Sequence, residues 1–394
     1  MPLTRRQLLA ASPLAFPAIL GRAAQATAPL DEAMRGLLAK HALPGGALGI
    51  ARAGKIVYTQ GFGWANREQG EAVRAESLFR LASVSKPVTA AAVLRLCEQG
   101  KLTLDEAVLP RLKLKPFTRT LGDPRWPQIT VRQLLSHTAG WDKKRSGDAL
   151  FRSPEICRDL GLPCPADGEA TVRWMLGRPL DFDPGSAYAY CNFGYCLLGR
   201  LIEAVTGQSY GQAVQKLVLG PVSASRIELG RSLQTQADEV RYYAQEKGPP
   251  PRVFPKLPAS SWPYGAFSLE ANDANGGWIA NVGDLLRFVT ALDEGSARPL
   301  FQRSSLDATY ARPPGGGLGK GVHYGLGWLV RAQGQAGRPN LWHTGALPGT
   351  LTIAVRLGDG FDWCALFNSR PRDWEGASLD IQSTVHAAAR KVWV

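Results

Sequence analysis

Residues 79–86 read Phe79-Arg80-Leu81-Ala82-Ser83-Val84-Ser85-Lys86, and the run behind them, Pro87 to Glu98, is largely apolar with helical spacing. Proline is tolerated in a helix only in its first turn, so the helix starts here. Ser83 and Lys86 stand three apart and share one helix face. A hydroxyl at a helix N-terminus lies beside free N–H groups that favour a developing oxyanion. Serine is a weak nucleophile until a neighbouring amine or phenolate takes its proton. Ser-x-x-Lys alone carries little weight, since about one match is expected by chance in a chain of this length. Here it occurs once.

Two later stretches add to it. Tyr188-Ala189-Tyr190-Cys191-Asn192 follows the turn pair Pro184-Gly185, and Tyr-x-Asn is also found once. By itself it reads more readily as a helix-start tyrosine with a turn asparagine than as chemistry. Trp342-His343-Thr344-Gly345-Ala346-Leu347-Pro348-Gly349 opens a strand-rich segment. An imidazole, a hydroxyl and a glycine on a sheet edge could hold a substrate carboxylate; a core histidine before a turn is the plain alternative.

Working outward, Leu30 to Ala42 predicts a helix. Ala47–Arg52 and Lys55–Tyr58 predict strands joined by the turn Ala53-Gly54. Helical periods recur near Val88–Glu98, Val131–Ser136, Thr171–Leu176, Phe193–Val205, Tyr210–Val218 and Val282–Leu292. Strands are expected at Gly325–Arg331, Leu351–Leu357 and Trp363–Asn368, and a last helix over Asp380–Lys391. Strands at both ends with helices between predict one sheet built from the two termini. Its parts are about 27–78 and 267–394, with a helical subdomain over about 79–266. A ligand cleft is expected between them.

The 394 residues are 45% hydrophobic and 20% charged, which fits a folded chain rather than a disordered one or a coiled coil. Residues 1–26 read as a targeting leader: Arg5-Arg6, an apolar stretch to about Leu20, and the small-x-small site Ala24-Gln25-Ala26. The twin arginine predicts export of the folded protein to the periplasm or beyond. No apolar run reaches the length of a membrane span. The formal charge is +13, of which Arg5, Arg6 and Arg22 account for three, leaving +10. These cations are scattered rather than striped, which argues against nucleic acid. The five histidines are dispersed and the six cysteines lack zinc spacing, so no metal is expected. Cys157 and Cys164 flank a Pro/Gly loop and could pair in an oxidising compartment. Cys97 and Cys364 read as small core residues.

Ser-x-x-Lys, Tyr-x-Asn and [Lys/His]-[Thr/Ser]-Gly, in that order, resemble the three signatures of serine β-lactamases and penicillin-binding proteins. Ile129-Thr130-Val131-Arg132-Gln133-Leu134-Leu135-Ser136-His137-Thr138-Ala139-Gly140, Tyr190–Tyr195 and Gly276-Gly277-Trp278 are similar to blocks of the class C branch. The resemblance covers Leu30 to Val394. It implies an α/β (α+β) fold of the β-lactamase/transpeptidase kind, with an antiparallel sheet flanked by helices. It implies that Ser83 forms an acyl-enzyme, and that Lys86 and Tyr190 share proton transfer, with Tyr190 as phenolate. Asn192 would hold the substrate amide, and His343 and Thr344 of the His343-Thr344-Gly345 signature would bind its carboxylate. The Ser83 and Ala346 N–H groups would form the oxyanion hole. No cofactor is implied.

His343 stands where class C lactamases carry lysine. His-Thr-Gly is similar instead to a D-alanyl-D-alanine carboxypeptidase and several esterases of the family. Cys191, where relatives often carry serine, reads as a small buried residue. Gly207-Gln208-Ser209-Tyr210-Gly211 matches a nucleophile elbow, but helix rather than strand precedes it, so Ser209 reads as an N-cap. Ser136-His137 reads as a local pair with no carboxylate to orient it. The expected protein is a monomeric serine hydrolase acting on D-amino-acid peptides, β-lactams or related amides and esters, with peptidoglycan among its partners. A carboxylesterase and a non-turnover penicillin-binding sensor are the alternatives.

Overall fold

The structure, a computed structural model, describes residues 16–258, 260–293, 295–332 and 338–393. Twelve strands are described. They are β1 (Gly45–Arg52), β2 (Lys55–Asn66), β3 (Glu71–Ala72), β4 (Phe79–Arg80), β5 (Ile227–Leu229) and β6 (Trp278–Ala280), then β7 (Gly317–Gly319), β8 (Val322–Tyr324), β9 (Leu329–Arg331), β10 (Asn340–Leu347), β11 (Thr350–Arg356) and β12 (Phe361–Phe367). Nine of them form an antiparallel sheet in the order β3-β2-β1-β12-β11-β10-β9-β8-β7; β4-β6-β5 form a small second sheet. The large sheet is therefore built from both ends of the chain, joined where Gly46 faces Phe367 and Arg52 faces Phe361. The β1–β2 turn has Ala53 at φ 47° and Gly54 at φ 75°, the double left-handed geometry that suits a two-residue hairpin.

The described helices are α1 (Phe16–Lys40), α2 (Ser85–Glu98), α3 (Val131–Leu135), α4 (Ser153–Leu160), α5 (Gly168–Leu176), α6 (Asn192–Thr206), α7 (Tyr210–Val214), α8 (Asp273–Gly276), α9 (Val282–Thr290), α10 (Arg303–Tyr310) and α11 (Trp374–Trp393). Strand alternation divides the core. Leu48, Ile50, Ile353, Trp363 and Phe367 point to one face and pack with Leu30, Met34, Leu37, Ile381 and Val385 of α1 and α11. Ala47, Ala51, Ala354, Cys364 and Leu366 point to the other, toward α9 and the helical part. With both faces covered, β1 is buried from Gly45 to Ala51, so its sequence reads as an unbroken run of small and apolar residues rather than alternating. α2 runs through the helical part, with Ser85 to Leu94 all buried.

Several elements depart from their expected bounds. Of the strand expected over Gly325–Arg331, only Leu329–Arg331 is strand (β9); Gly325–Trp328 form a tight turn between β8 and β9, in which the Gly325 N–H donates to the Trp328 carbonyl at 2.8 Å. Gly327 sits there at φ +86°, and a Cβ would come 2.5 Å from that of Ala90. The segment expected as one helix over Tyr210–Val218 widens into a π-helical turn at Gln215–Leu219. α1 begins before Leu30 and carries Pro29 inside it. α11 begins at Trp374 rather than Asp380. The helices α4, α8 and α10 have no counterpart in the sequence reading. Arg5 and Arg6 lie outside the described residues. Among the described residues no helix is long and apolar enough to cross a membrane, and no cluster of side chains is suited to a metal ion.

Candidate active site

The small sheet delivers Ser83. β4 pairs Phe79 with Ala280 and Arg80 with Ile279, which fixes the chain as it enters a 3-10 turn at Ala82–Val84. Arg80 is fully buried beneath Tyr242, with its guanidinium 4.2 Å from that ring, and donates to the Pro263 carbonyl at 2.7 Å. The Arg80 carbonyl accepts from the hydroxyls of Thr350 and Thr352 on β11, both at 3.0 Å. Ala82 then takes φ 46°, a left-handed conformation uncommon for alanine, and aims Ser83 out of the turn.

Lys86 lies one turn into α2, completely buried. Its Nζ is 3.1 Å from Ser83 Oγ, 2.7 Å from Asn192 Oδ1 and 2.8 Å from the Asn275 carbonyl. Burial pushes the ammonium down to about 7. The last two partners can only accept. A neutral amine has two N–H groups and one lone pair, so donating to both acceptors leaves the lone pair facing the Ser83 hydroxyl.

Tyr190 and Asn192 arrive on the extended segment that ends in α6. The Tyr190 phenol faces Ser83, whose side chain favours its ionised form, and Lys86 Nζ lies 4.8 Å from its ring. Burial drives the phenol well above its ordinary value, which opposes the phenolate expected there. Both ends of the Asn192 amide are taken within the protein. Oδ1 accepts from Lys86, and Nδ2 donates to Asp148 Oδ2 at 2.7 Å. Asn192 was expected to face a substrate amide.

β10 forms the opposite wall. It pairs with β11 through Leu347, but with β9 only from Asn340 to Trp342, so its edge beside the site is free of β9. Gly345 abuts the serine turn: a Cβ there would lie 2.2 Å from the Leu81 oxygen and 3.0 Å from the Ser83 nitrogen. Overpacking of this kind costs about 1–3 kcal/mol, and displacing reacting groups by about 1 Å can cost about 10²-fold in rate. Gly345→Ala is therefore expected to lower both the melting temperature and kcat, read by thermal melts and an ester assay on the same preparation.

His343 departs from its expected role. Its Nδ1 is 2.8 Å from the Thr344 carbonyl and can only donate there, so Nε2 accepts from the Tyr324 hydroxyl at 2.8 Å. Burial pushes the imidazole down to about 3. A neutral ring with both nitrogens engaged offers a substrate carboxylate neither charge nor donor.

These groups surround a cavity of about 530 Å³. Ser83, Tyr190, Asn192, His343, Thr344 and Ala346 all line it, with Lys86 buried behind. Phe151, Tyr188, Leu347 and Trp374 supply apolar wall, and Lys143 and Arg370 supply cations. Arg370 is ion-paired with Glu246. Cys191 is no second nucleophile, since burial raises its thiol to about 12. Ser209 caps α7 in a capping box with Gln212. Cys157, within α4, and Cys164, just beyond its C-terminal end, are disulfide-bonded, with Cα atoms 5.7 Å apart.

Three site residues escaped sequence reasoning. Asp148 is one and Tyr324 another. The third is His137, whose ring lies 4.4 Å from those of both Tyr190 and Tyr324. Its Nδ1 accepts from the Cys191 N–H at 3.2 Å. His137 sits in a motif block that the sequence does flag, and Asp148 in a loop between motifs; nothing marks Tyr324.

The Beta-lactamase family model matches residues 30–386. Esterase EstB of Burkholderia gladioli is 38% identical over 207 residues, 51% of this chain and 50% of that protein. Penicillin-binding protein 4 of Amycolatopsis lactamdurans is 30% identical over 257 residues, 62% of this chain and 60% of that protein. The matches thus span only half to about three-fifths of those relatives. The D-amino acid amidase of Ochrobactrum anthropi SV3, solved with L-phenylalanine amide, superposes with a TM-score of 0.70 at 22% identity, over 92% of this chain and 98% of that one. That likeness is one of fold.

Proposed function

This chain belongs to the Beta-lactamase family, and from that membership we propose that it is a serine hydrolase whose acyl-enzyme forms on Ser83. The observation that carries the proposal is the set of three contacts at Lys86 Nζ, which leaves the amine lone pair for the Ser83 proton. In this reading Ser83 Oγ attacks the acyl carbon as its proton passes to Lys86. The N–H groups of Ser83 and Ala346 receive the oxyanion. The Tyr190 hydroxyl returns the proton to the leaving group, and water then cleaves the ester by the reverse route. Tyr190 acts as a proton relay rather than a standing base, because burial opposes its ionisation.

The neutral His343 and the apolar wall support esters or amides with an uncharged acyl group as preferred substrates. Lys143, whose ammonium lies 5.4 Å from the Tyr190 ring, favours a second reading, in which a D-amino-acid peptide or β-lactam brings a carboxylate to the cavity mouth. Export is part of the proposal and rests on the leader at 1–26.

The test compares turnover of a short-chain nitrophenyl ester, a D-alanyl-D-alanine peptide and a chromogenic cephalosporin. The ester is expected to show the highest kcat/KM, and a fluorescent penicillin to label the peptide containing Ser83. A label elsewhere overturns the site. A burst without steady turnover on all three classes makes the protein a non-turnover binder instead.

A further inference from the structure

We propose that Asp148 is a positioning residue that aims the Lys86 lone pair at Ser83 by fixing which way round Asn192 stands. The inference rests on Ser83 and Lys86 acting as proposed above. Asparagine presents an acceptor at one end of its amide and donors at the other, and the two ends have nearly the same shape. Lys86 imposes no choice by itself, because an amine can either donate to Oδ1 or accept from Nδ2. Asp148 does impose one. Its Oδ2 lies 2.7 Å from Asn192 Nδ2. Burial raises its carboxyl, but the bonds from Asn192 and Leu150 and the charges of Lys86 and Lys143 pull it back, and as a carboxylate it only accepts. Asn192 must therefore turn its NH₂ to Asp148 and its carbonyl to Lys86, at 2.7 Å. Lys86 must then spend one N–H on Asn192 and the other on the Asn275 carbonyl.

Asp148 is itself held in place. It caps the 3-10 turn Ala149–Phe151, with Oδ1 accepting from the Leu150 N–H at 3.2 Å, and it lines the cavity that holds Ser83. Were the amide reversed, Nδ2 would face Lys86 and draw the lone pair away from the serine. The carboxylate has a second effect through space. Its charge holds the Lys86 ammonium higher than burial alone would, while Lys143 pulls the other way. The remaining titratable groups around Lys86 are Tyr190, Cys191, Tyr195, His137 and His343. Burial keeps all five neutral near pH 7.

Asp148→Asn tests this while keeping the shape and the capping oxygen. The new amide turns its NH₂ toward Asn192, which reverses to meet it. The expected result is a kcat for nitrophenyl ester lower by about 10–10²-fold, the range seen when a supporting hydrogen bond is lost, with KM little changed. The acid limb of kcat/KM should also move to lower pH, because the charge that raises Lys86 is gone. A merely structural loss would lower activity without moving the limb. Asp148→Glu keeps both charge and acceptors, and is expected to recover part of kcat with the limb unmoved. If Asp148→Asn does not fold, by melting and circular dichroism, the Glu variant decides: a limb that moves overturns the proposal. Wild-type kcat and limb in a folded Asp148→Asn variant also overturn it. If the wild-type protein is not acylated at Ser83 at all, the underlying reading fails, and the two failures are told apart.

Discussion

Ser83→Ala is expected to lower kcat for ester hydrolysis by about 10⁵–10⁶-fold, the scale at which a serine hydrolase loses its nucleophile. The fold has little reason to change. Ser83 is only half-buried, and the turn that holds it is fixed through Arg80 and the β4–β6 pairing rather than through its own hydroxyl. With the Oγ gone, Lys86 has nothing to deprotonate and Tyr190 no proton to relay. Substrate binding should survive, so KM for any residual turnover should stay near the wild-type value. The measurement is steady-state hydrolysis at high enzyme concentration, with intact-mass spectrometry after incubation with a slow acylating ester. An acyl adduct on the variant, or a loss of less than about tenfold, would show that another group attacks.

Lys86→Met should reduce kcat/KM by about 10²–10⁴-fold, the range for removal of a general base. Methionine keeps the length and packing of the lysine stem but has no amine, and it avoids burying a group that water solvates better. The melting temperature should therefore hold or rise while the rate collapses. The wild-type pH profile belongs to the same prediction. Burial lowers the Lys86 pKa to about 7, and only the neutral amine can take the serine proton. kcat/KM should thus climb from acid pH with a midpoint of about 7 and level off above it. Lys86→Met should remove that limb from whatever activity remains. A wild-type midpoint near the ordinary lysine value, or a variant retaining wild-type rate, would remove Lys86 from the role of base.

Local spacing made part of this protein legible. Ser83 and Lys86 are three residues apart on one helix, and the β1–β2 hairpin is announced by Ala53-Gly54 between two apolar runs. The strand patterns at the two ends of the chain carried the sheet built from both termini, and the structural neighbours share that fold. Contacts between distant residues were not legible. Asp148 meets Asn192 across 44 residues, and Tyr324 meets His343 across 19. No periodicity links those partners. Charge was hidden for the same reason. His343 reads in the sequence as able to hold a substrate carboxylate, but burial favours a neutral ring and the carbonyl of its own neighbour, Thr344, engages Nδ1. Gly325–Trp328 misled in another way. Its apolar residues suit a strand, but they belong to a turn that needs Gly327 to pass close to α2.

The joining of β1 to β12 has a consequence for the order in which the molecule comes into being. The Gly45 N–H is bonded to the Asn368 side chain across 323 residues, and contacts of such high sequence separation form late and slowly. A chain emerging from the ribosome would expose Ser83 and Lys86 long before β10 and β11 exist to face them. The Arg80 carbonyl waits for Thr350 and Thr352, and the serine turn for Gly345. Hydrolytic competence is therefore acquired only at the end of synthesis, as a property of the finished chain, and a protein clipped before β10 would carry two of its three motifs and no working site.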